Sequence, residues 1–370
     1  MDGFGANYLV DHCSNKQIII TDTDQLRSIV NNLCDEKFIS FDTEFIRNKT
    51  YWPVLCSIQL HARKNSILID TLSKNINLAP IKEILSNKKI TKIFHAHTQD
   101  LEILNNLFNI KISNIFDTQI AASFLGYDEQ ISYQKLVEKI LNTDLDKKER
   151  ISDWSRRPLT KKQVKYALND VKYLYELYKP MLNKLSQENK SLWMKEEMQS
   201  CVNNTLEKLK ECNNSDNYTI LYKKIYNFRE EIAKKINLPR KWIFQDKLIR
   251  DLITSKDRKN ILRKINNDFI NDNQKKVLSN MIKIYLKDNE INIRSKKIKL
   301  NSIQNNLLDI ISSHLGKTAI MYNISKGLIA NKKEIEEIIL IDNPHNKILI
   351  GWRKKIFGND ILIAKKGASL

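Results

Sequence analysis

The stretch FDTEF, residues 41–45, ends an apolar run that begins at Lys37 and has the length of a buried strand. Side chains alternate along a strand, so Asp42 and Glu44 share one face, opposite Phe41, Thr43 and Phe45. Two carboxylates at this spacing repel each other. A fold usually tolerates them within an apolar strand only if a cation lies between them or one of them keeps its proton. The alternative is an exposed strand end at which both acids are solvated.

Outward from this stretch, short apolar runs alternate with helical patterns. Strands are predicted at 17–21, 37–44, 55–60, 66–70 and 90–95, and helices at 23–33, 78–85, 98–108, 118–124 and 132–141. Closely spaced strands followed by strand–helix alternation predict an α/β domain with a mixed sheet. Beyond about residue 160 the patterns are helical only, which predicts an all-α C-terminal part.

A third acidic position, Asp100, follows the strand predicted at 90–95. Capping of the next helix is the commonest use of Asp at such a place, and taken alone it explains Asp100. His95 and His97 precede it without a carboxylate–histidine spacing typical of metal ligands. We therefore expect His95 in the core or against a substrate.

A fourth acidic position lies on a later helix. Thr160 and Gln163 have the spacing of a capping box, and the helix that they open is expected to end just before Pro180. Tyr166 and Asp170 are four residues apart on it and point the same way. Asp is a poor residue for a helix interior beside an apolar stripe, although a surface position would tolerate it.

The order of these motifs is more informative than any one of them. It is D-x-E on an early strand, D after a middle strand and Y-x-x-x-D on a later helix. Four carboxylates can hold two divalent ions about 4 Å apart, as two-metal hydrolysis of a phosphodiester requires. Ligands that are all oxygen suit Mg²⁺ or Mn²⁺ rather than Zn²⁺.

This order resembles the DEDD superfamily of 3′–5′ exonucleases in its tyrosine variant, and the flanking segments resemble the ribonuclease D family. Between about residues 18 and 178 those segments are FDTEFIRNKTYWPVLCSIQL, FHAHTQDLEIL, IFDTQIAASFLGY, DKKERISDWSRRPLT and YALNDVKYLYEL. Residues 221–253 look like an HRDC module. Residues 349–367, LIGWRKKIFGNDILIAKKG, are similar to the ends of ribonuclease D chains of alphaproteobacterial type.

The resemblance implies a ribonuclease H-like exonuclease domain at 1–210, an HRDC domain at 216–293 and a second HRDC-like helical domain at 294–370. It implies a 3′–5′ exoribonuclease that trims RNA, tRNA precursors above all, and releases 5′-mononucleotides with two divalent ions, Mg²⁺ or Mn²⁺. The site residues that it implies are Asp42, Glu44 and Asp170 on one metal ion, Asp42 bridging to the second, Asp100 on the second through water, and Tyr166 orienting the attacking water.

Contacts to RNA are expected from the resemblance or from side-chain chemistry. An arginine beside an aromatic residue suits a backbone phosphate and a stacked base. The side chains expected to touch RNA within the nuclease part are Phe45, Gln59, His95, Trp154, Arg156 and Arg157. Each has a structural alternative: core packing for the aromatic residues, a solvent-facing strand position for the glutamine and solvation for the arginines.

Charge is distributed unevenly along the chain. Lys and Arg number 62 and Asp and Glu 43, a formal net charge of +19. Residues 1–150 hold 18 basic and 19 acidic residues, whereas residues 151–370 hold 44 and 24. Such an excess is typical of a protein that binds a polyanion, most often nucleic acid, although a coding bias toward Lys contributes to it. We expect Arg240, Lys241 and the Lys-rich helices around them to form a track for RNA.

Other classes of protein are disfavoured. The five cysteines are odd in number and include no CxxC, which argues against a disulfide framework and a structural zinc site. No apolar run reaches the length of a membrane span, and the first residues lack the pattern of a secretory signal. We expect a cytoplasmic monomer. A DNA-directed exonuclease of the same superfamily and a non-catalytic RNA-binding protein on the same fold are the alternatives.

Overall fold

The structure is a computed structural model that describes residues 16–145, 148–207, 217–255, 257–265, 268–287, 300–341 and 343–368. Its strands are β1 (Lys16–Ile20), β2 (Phe38–Ile46), β3 (Val54–Ala62), β4 (Asn65–Asp70), β5 (Thr91–Phe94) and β6 (Ile115–Asp117). Its first helices are α1 (Thr23–Leu33), α2 (Ile81–Ser86), α3 (Thr98–Phe108), α4 (Thr118–Phe124), α5 (Tyr133–Leu141), α6 (Lys161–Gln187) and α7 (Ser191–Glu207).

Beyond α7 every regular element among the described residues is helical. These elements are α8 (Asn217–Ile236), α9 (Arg240–Ile243), α10 (Asp246–Thr254), α11 (Arg258–Arg263), α12 (Asp272–Lys287), α13 (Ser302–Tyr322), α14 (Lys326–Ile329), α15 (Lys332–Leu340), α16 (Gly351–Arg353) and α17 (Asn359–Gly367). A π-helical turn, Lys354–Gly358, joins the last two. None of the described helices combines the length and the apolar composition that a bilayer span requires.

The strands form one six-stranded sheet in the order β1-β4-β3-β2-β5-β6. β4 pairs parallel to β1 and antiparallel to β3, and β5 pairs parallel to β2 and β6. The sheet is therefore mixed, as the spacing of the strands predicts. β2 has a neighbour on each side, so the strand that carries Asp42 and Glu44 is internal to the sheet.

Two elements differ from the sequence prediction. The short strand β6 was not predicted, because three residues are too few to show a period. The helix α6 continues past Pro180 to Gln187, although a helix end was predicted before the proline. A proline removes one backbone donor from the helix. Here Leu177, Met181 and Leu185 extend the buried stripe across it, and their packing outweighs the lost hydrogen bond.

The described residues divide into two compact units. The first, the nuclease unit, holds residues 16–45, 55–207 and 300–368, and the second, the helical unit, holds 46–54 and 217–287. The linker predicted at 211–216, and the domain boundaries predicted at 210, 216 and 293–294, lie outside the described residues. The division into three domains stays a prediction.

The nuclease unit has a hydrophobic core on each face of its sheet. One core packs α1, α2 and α3 against residues such as Ile39 and Phe41 of β2. The other joins Ile93 and helices α4–α7 to buried residues of the C-terminal helices, including Trp352 and Phe357. The helices beyond residue 300 thus complete the core of the exonuclease fold.

The helical unit has its own core and takes in the β2–β3 connection. Leu221, Ile225 and Ile249 are fully buried in it, and Tyr51 packs against it. The Tyr51 hydroxyl donates a hydrogen bond of 2.8 Å to Glu230, and the Trp52 amide donates one of 3.2 Å to the side chain of Asn237. The β2–β3 connection is therefore an ordered part of the helical unit.

Candidate active site

β2 presents its two acids as the strand period predicts. Phe41 and Thr43 are buried, whereas Asp42 and Glu44 alternate with them and are only partly buried. Ser40 donates a buried hydrogen bond of 2.6 Å to the carbonyl oxygen of Val171, the residue after Asp170. The strand and α6 are therefore joined where their acids meet.

α6 brings the third acid to the same place. The capping box of Thr160 and Gln163 is formed with both of its reciprocal contacts, so the helix begins where the sequence predicts. A carboxylate oxygen from each of Asp42, Glu44 and Asp170 lies within 4.8 Å of the other two. Three oxygen donors at this separation can share one cation, and an all-carboxylate set suits hard divalent ions.

Asp100 on α3 lies near these three acids but outside the set whose oxygens approach within 4.8 Å. It is buried, and it accepts a hydrogen bond from the Thr43 hydroxyl, which lies between the two acids of β2. Three residues earlier, His97 Nδ1 lies 2.6 Å from Asp117 Oδ2. Asp117 also accepts from the His97 amide at 2.8 Å and caps α4. The start of α3 is therefore held to the end of β6, which positions Asp100.

Burial raises the pKa values of all four acids, and the charges of neighbouring site acids add to the shifts of Asp42 and Glu44. Burial and the negative charges of its neighbours raise the pKa of Asp42. Burial, with the charges of Asp170 and Asp100, raises the pKa of Glu44 to about 9. Burial raises the pKa of Asp170 to about 7 and that of Asp100 to about 6, while hydrogen bonds from Tyr166 and Thr43 respectively oppose the shift. Bound cations would remove this repulsion, so the residues fit a divalent metal site.

Two tyrosines face the acids. Burial, with the charges of Asp170 and Glu44, raises the pKa of Tyr166, so its hydroxyl stays protonated at neutral pH. The Tyr133 hydroxyl donates to the backbone carbonyl of Asp170, and burial with the charges of Asp170 and Asp42 raises its pKa too. The sequence singled out Tyr166 through its spacing from Asp170. It held no comparable signal for Tyr133, which simply follows the Ser132 cap of α5.

The predicted RNA contacts on the strands fall in different environments. Phe45 is partly exposed, whereas Gln59 is fully buried on β3. The Gln59 amide nitrogen donates a hydrogen bond of 2.7 Å to the Ser57 hydroxyl, and the amide oxygen has no hydrogen-bond partner among the described residues. His95 Nδ1 lies 2.9 Å from the Thr118 hydroxyl, and burial lowers the His95 pKa, which keeps the ring neutral. The predicted contacts of these residues with RNA stay predictions.

The residues just before α6 that were predicted to contact RNA lie mostly inside the fold. Trp154 is 2% exposed and packs 6.1 Å from the Tyr166 ring, an arrangement that favours the packing alternative. Arg157 donates to both carboxylate oxygens of Asp70, at 2.7 and 2.8 Å, and to the Cys56 carbonyl at 2.6 Å. These bonds anchor the segment to the sheet. Arg156 is exposed.

In the helical unit, Arg240 is held by its neighbours. Its guanidinium donates a hydrogen bond to the Tyr226 hydroxyl and lies 3.5 Å from the Glu230 carboxylate. It also lies over the Tyr51 ring, 5.9 Å from the ring centre. Lys241 is exposed. A role for either residue in RNA binding stays a prediction.

An open cavity of about 370 Å³ lies beside the acids in the nuclease unit. It is lined by Leu145, Glu149, Lys162, Lys165, Tyr166, Asn169 and Asp170. Two residues of the acidic site therefore share a cavity with two lysines. No sequence signal assigned these lysines, which lie in the first turns of α6, to the site.

Comparisons with known proteins identify the family and the fold of the chain. A family profile described as 3′–5′ exonuclease matches residues 17–186. The chain is 32% identical over 359 residues to Ribonuclease D of Bartonella henselae, covering 92% of this chain and 88% of that one. It is 32% identical over 366 residues to Ribonuclease D of Zymomonas mobilis, covering 94% of each. It shares the fold of Escherichia coli RNase D, described as an exoribonuclease involved in structured RNA processing, with a TM-score of 0.73 at 22% identity over 94% of this chain and 98% of that chain.

Proposed function

The chain belongs to the ribonuclease D family and is a metal-dependent 3′–5′ exoribonuclease, and we propose that Asp42, Glu44, Asp100 and Asp170 hold the metal ions with which it trims RNA. The observation that carries this assignment is the meeting of carboxylates from β2 and α6 within 4.8 Å. The ribonuclease H-like sheet and the helices after it are those that the sequence predicts.

The four acids divide between two ions in this proposal. Asp42, Glu44 and Asp170 would hold one ion, and Asp42 and Asp100 would hold the second, Asp100 through water. The oxygen-only donor set favours Mg²⁺ or Mn²⁺. In phosphodiester hydrolysis such ions supply activation of a water molecule and stabilisation of the charge on the departing 3′ oxygen.

Tyr166 orients the attacking water. Its raised pKa keeps the hydroxyl protonated, so it acts through hydrogen bonds rather than as a base. Its ring packs against the buried Trp154, which limits its movement. Asp170, one helical turn on, receives a hydrogen bond from the same tyrosine. Attack at the terminal phosphodiester would release a 5′-mononucleotide.

The substrates that we propose are RNA 3′ ends, tRNA precursors among them. The proposal draws on the family and on the excess of basic residues after residue 150. We further propose that the enzyme works as a monomer in the cytoplasm. Cys34 in the described part forms no disulfide, as expected in a reducing compartment.

A time course on a tRNA with a 3′ extension tests the proposal. The wild-type chain should shorten the extension from its 3′ end in Mg²⁺ and release mononucleotides, and EDTA should stop it. Asp42→Ala should abolish trimming while RNA binding persists. Trimming by Asp42→Ala at the wild-type rate would contradict the metal assignment, and a tRNA that the wild type leaves intact would contradict the proposed substrate.

A further inference from the structure

One face of α6 carries Tyr166 and Asp170 of the acidic site together with two lysines. Lys162, Tyr166 and Asp170 follow one another at intervals of four residues, and Lys165 and Asn169 lie beside them at the same interval. Residues four apart share a helix face, and all five line the cavity at the acidic site. Among the described residues that line it, only the two lysines carry a positive charge.

Their place beside Tyr166 and Asp170 at the cavity distinguishes these lysines from other exposed lysines. Both are exposed, and neither ammonium group has an ion-pair partner among the described residues. A polyanion that enters the cavity meets the carboxylates of Glu149 and Asp170, whose negative charge would repel it. The two lysines that line the same cavity offset this repulsion and give the phosphates of a bound strand a partner.

We propose that Lys162 and Lys165 are positioning residues for the substrate. They bind phosphate groups upstream of the bond that is hydrolysed, and so hold the single-stranded 3′ end of an RNA over Tyr166 and Asp170. This inference rests on the proposed function and adds the part of the cavity that receives the strand. It places a phosphate contact on the nuclease unit itself, apart from the basic residues of the helical unit.

Binding of a short single-stranded RNA, labelled at its 5′ end, tests the inference in EDTA, where no trimming occurs. The full-length variant K162A/K165A should bind about tenfold more weakly than wild type at low salt. Each phosphate contact to single-stranded RNA contributes roughly 0.7 to the slope of log affinity against log salt. The slope for the double variant should therefore be smaller by roughly 1.4. Lys161→Ala is the matched control, because Lys161 is exposed on the same turn and does not line the cavity.

A modified RNA locates the contact. A neutral methylphosphonate placed at one linkage near the 3′ end should weaken binding to wild type and to Lys161→Ala. It should have little further effect on K162A/K165A, since the contact that it removes is already missing. An equal loss in all three proteins, or an unchanged salt slope in the double variant, would overturn the inference.

The result is separable from the proposed function. If the wild type trims RNA in Mg²⁺ but its binding is insensitive to both lysines, only this inference fails. If both lysines govern binding but no RNA is trimmed, the proposed function fails and the phosphate site stands. Melting temperatures of the three proteins check that the substitutions, all at exposed positions, leave the fold intact.

Discussion

The Ser40 hydroxyl donates a hydrogen bond of 2.6 Å to the Val171 carbonyl oxygen, and both groups are buried. Ser40 lies two residues before Asp42 on β2, and Val171 directly follows Asp170 on α6. These positions are 131 residues apart in the chain. One bond therefore sets the register of the helix against the strand at the point where the carboxylates converge.

Loss of this bond should loosen the metal site more than the fold. Ser40→Ala should lower the free energy of unfolding by about 1 kcal/mol, the usual contribution of one hydrogen bond. It should also raise the Mg²⁺ concentration that half-activates trimming, because Asp170 is less well placed against Asp42. Ser86→Ala is a control, since the exposed Ser86 hydroxyl bonds only within α2. A metal requirement that matches wild type would contradict this role for Ser40.

Repulsion among the acids should cost stability when no metal is bound. The pKa of Glu44 is raised to about 9, above its unfolded value, so folding takes up a proton and stability falls as pH rises from about 5 toward 9. In EDTA the wild-type melting temperature should fall over this range. Glu44→Gln should flatten the fall and melt about 2–4 °C higher at pH 8.

When Mg²⁺ is present, Glu44→Gln should melt at a lower temperature than wild type instead of a higher one. A bound ion stabilises the wild-type chain and has lost a ligand in Glu44→Gln. Glu138→Gln, at an exposed position of α5, should follow wild type in both conditions. Equal melting curves for wild type and Glu44→Gln in EDTA at high pH would show that the carboxylates do not repel each other as described.

The Tyr166 hydroxyl should matter for the rate and not for the binding of RNA. Tyr166→Phe should slow trimming roughly 10²-fold, since the attacking water loses its orientation, while RNA affinity in EDTA stays within about twofold. Because the pKa of Tyr166 is raised, the wild-type rate should show no ionisation of this group at or below its ordinary pKa. Tyr133→Phe is the informative comparison, because its hydroxyl bonds the Asp170 backbone rather than a carboxylate. Similar rates for wild type and Tyr166→Phe would exclude the proposed role.

A buried ion pair should tie the C-terminal helices to the nuclease core. The Arg353 guanidinium lies 2.6 Å from the carboxylate of Glu197 on α7. The Trp352 indole N–H donates a hydrogen bond of 3.2 Å to the same carboxylate. Arg353→Met leaves that charge without its main partner and should cost about 3–5 kcal/mol. Replacing both Glu197 and Arg353 by Met should cost less than the single change. Chemical unfolding measures both, and a larger loss in the double variant would contradict this account.

The sequence was informative where chemistry imposes a pattern. The strand period placed Asp42 and Glu44 on one face, and the four-residue spacing placed Tyr166 and Asp170 on one helix face, so the acidic site could be predicted from the residues and the family resemblance. Tyr133 and the His97–Asp117 contact could not, because each depends on which elements become neighbours. A Phe or Trp beside a motif is equally compatible with stacking and with packing, and Trp154 is buried.

The C-terminal helices show a second limit of sequence patterns. An apolar stripe predicts that a helix face is buried, but it does not say against which partner. Deletion of the chain after about residue 215 is the obvious test of whether its basic C-terminal part binds RNA. In the structure that deletion would also remove Trp352, Phe357 and the rest of the C-terminal contribution to the core. Substitutions of single basic residues are therefore the better test.

The shared core has a consequence during synthesis. Ile93 and Phe116 leave the ribosome well before Trp352 and Ile361, which pack in the same cluster. Domains generally fold as units once their sequence has emerged. A nascent chain therefore carries all four acids long before the residues that complete the core around them have been made.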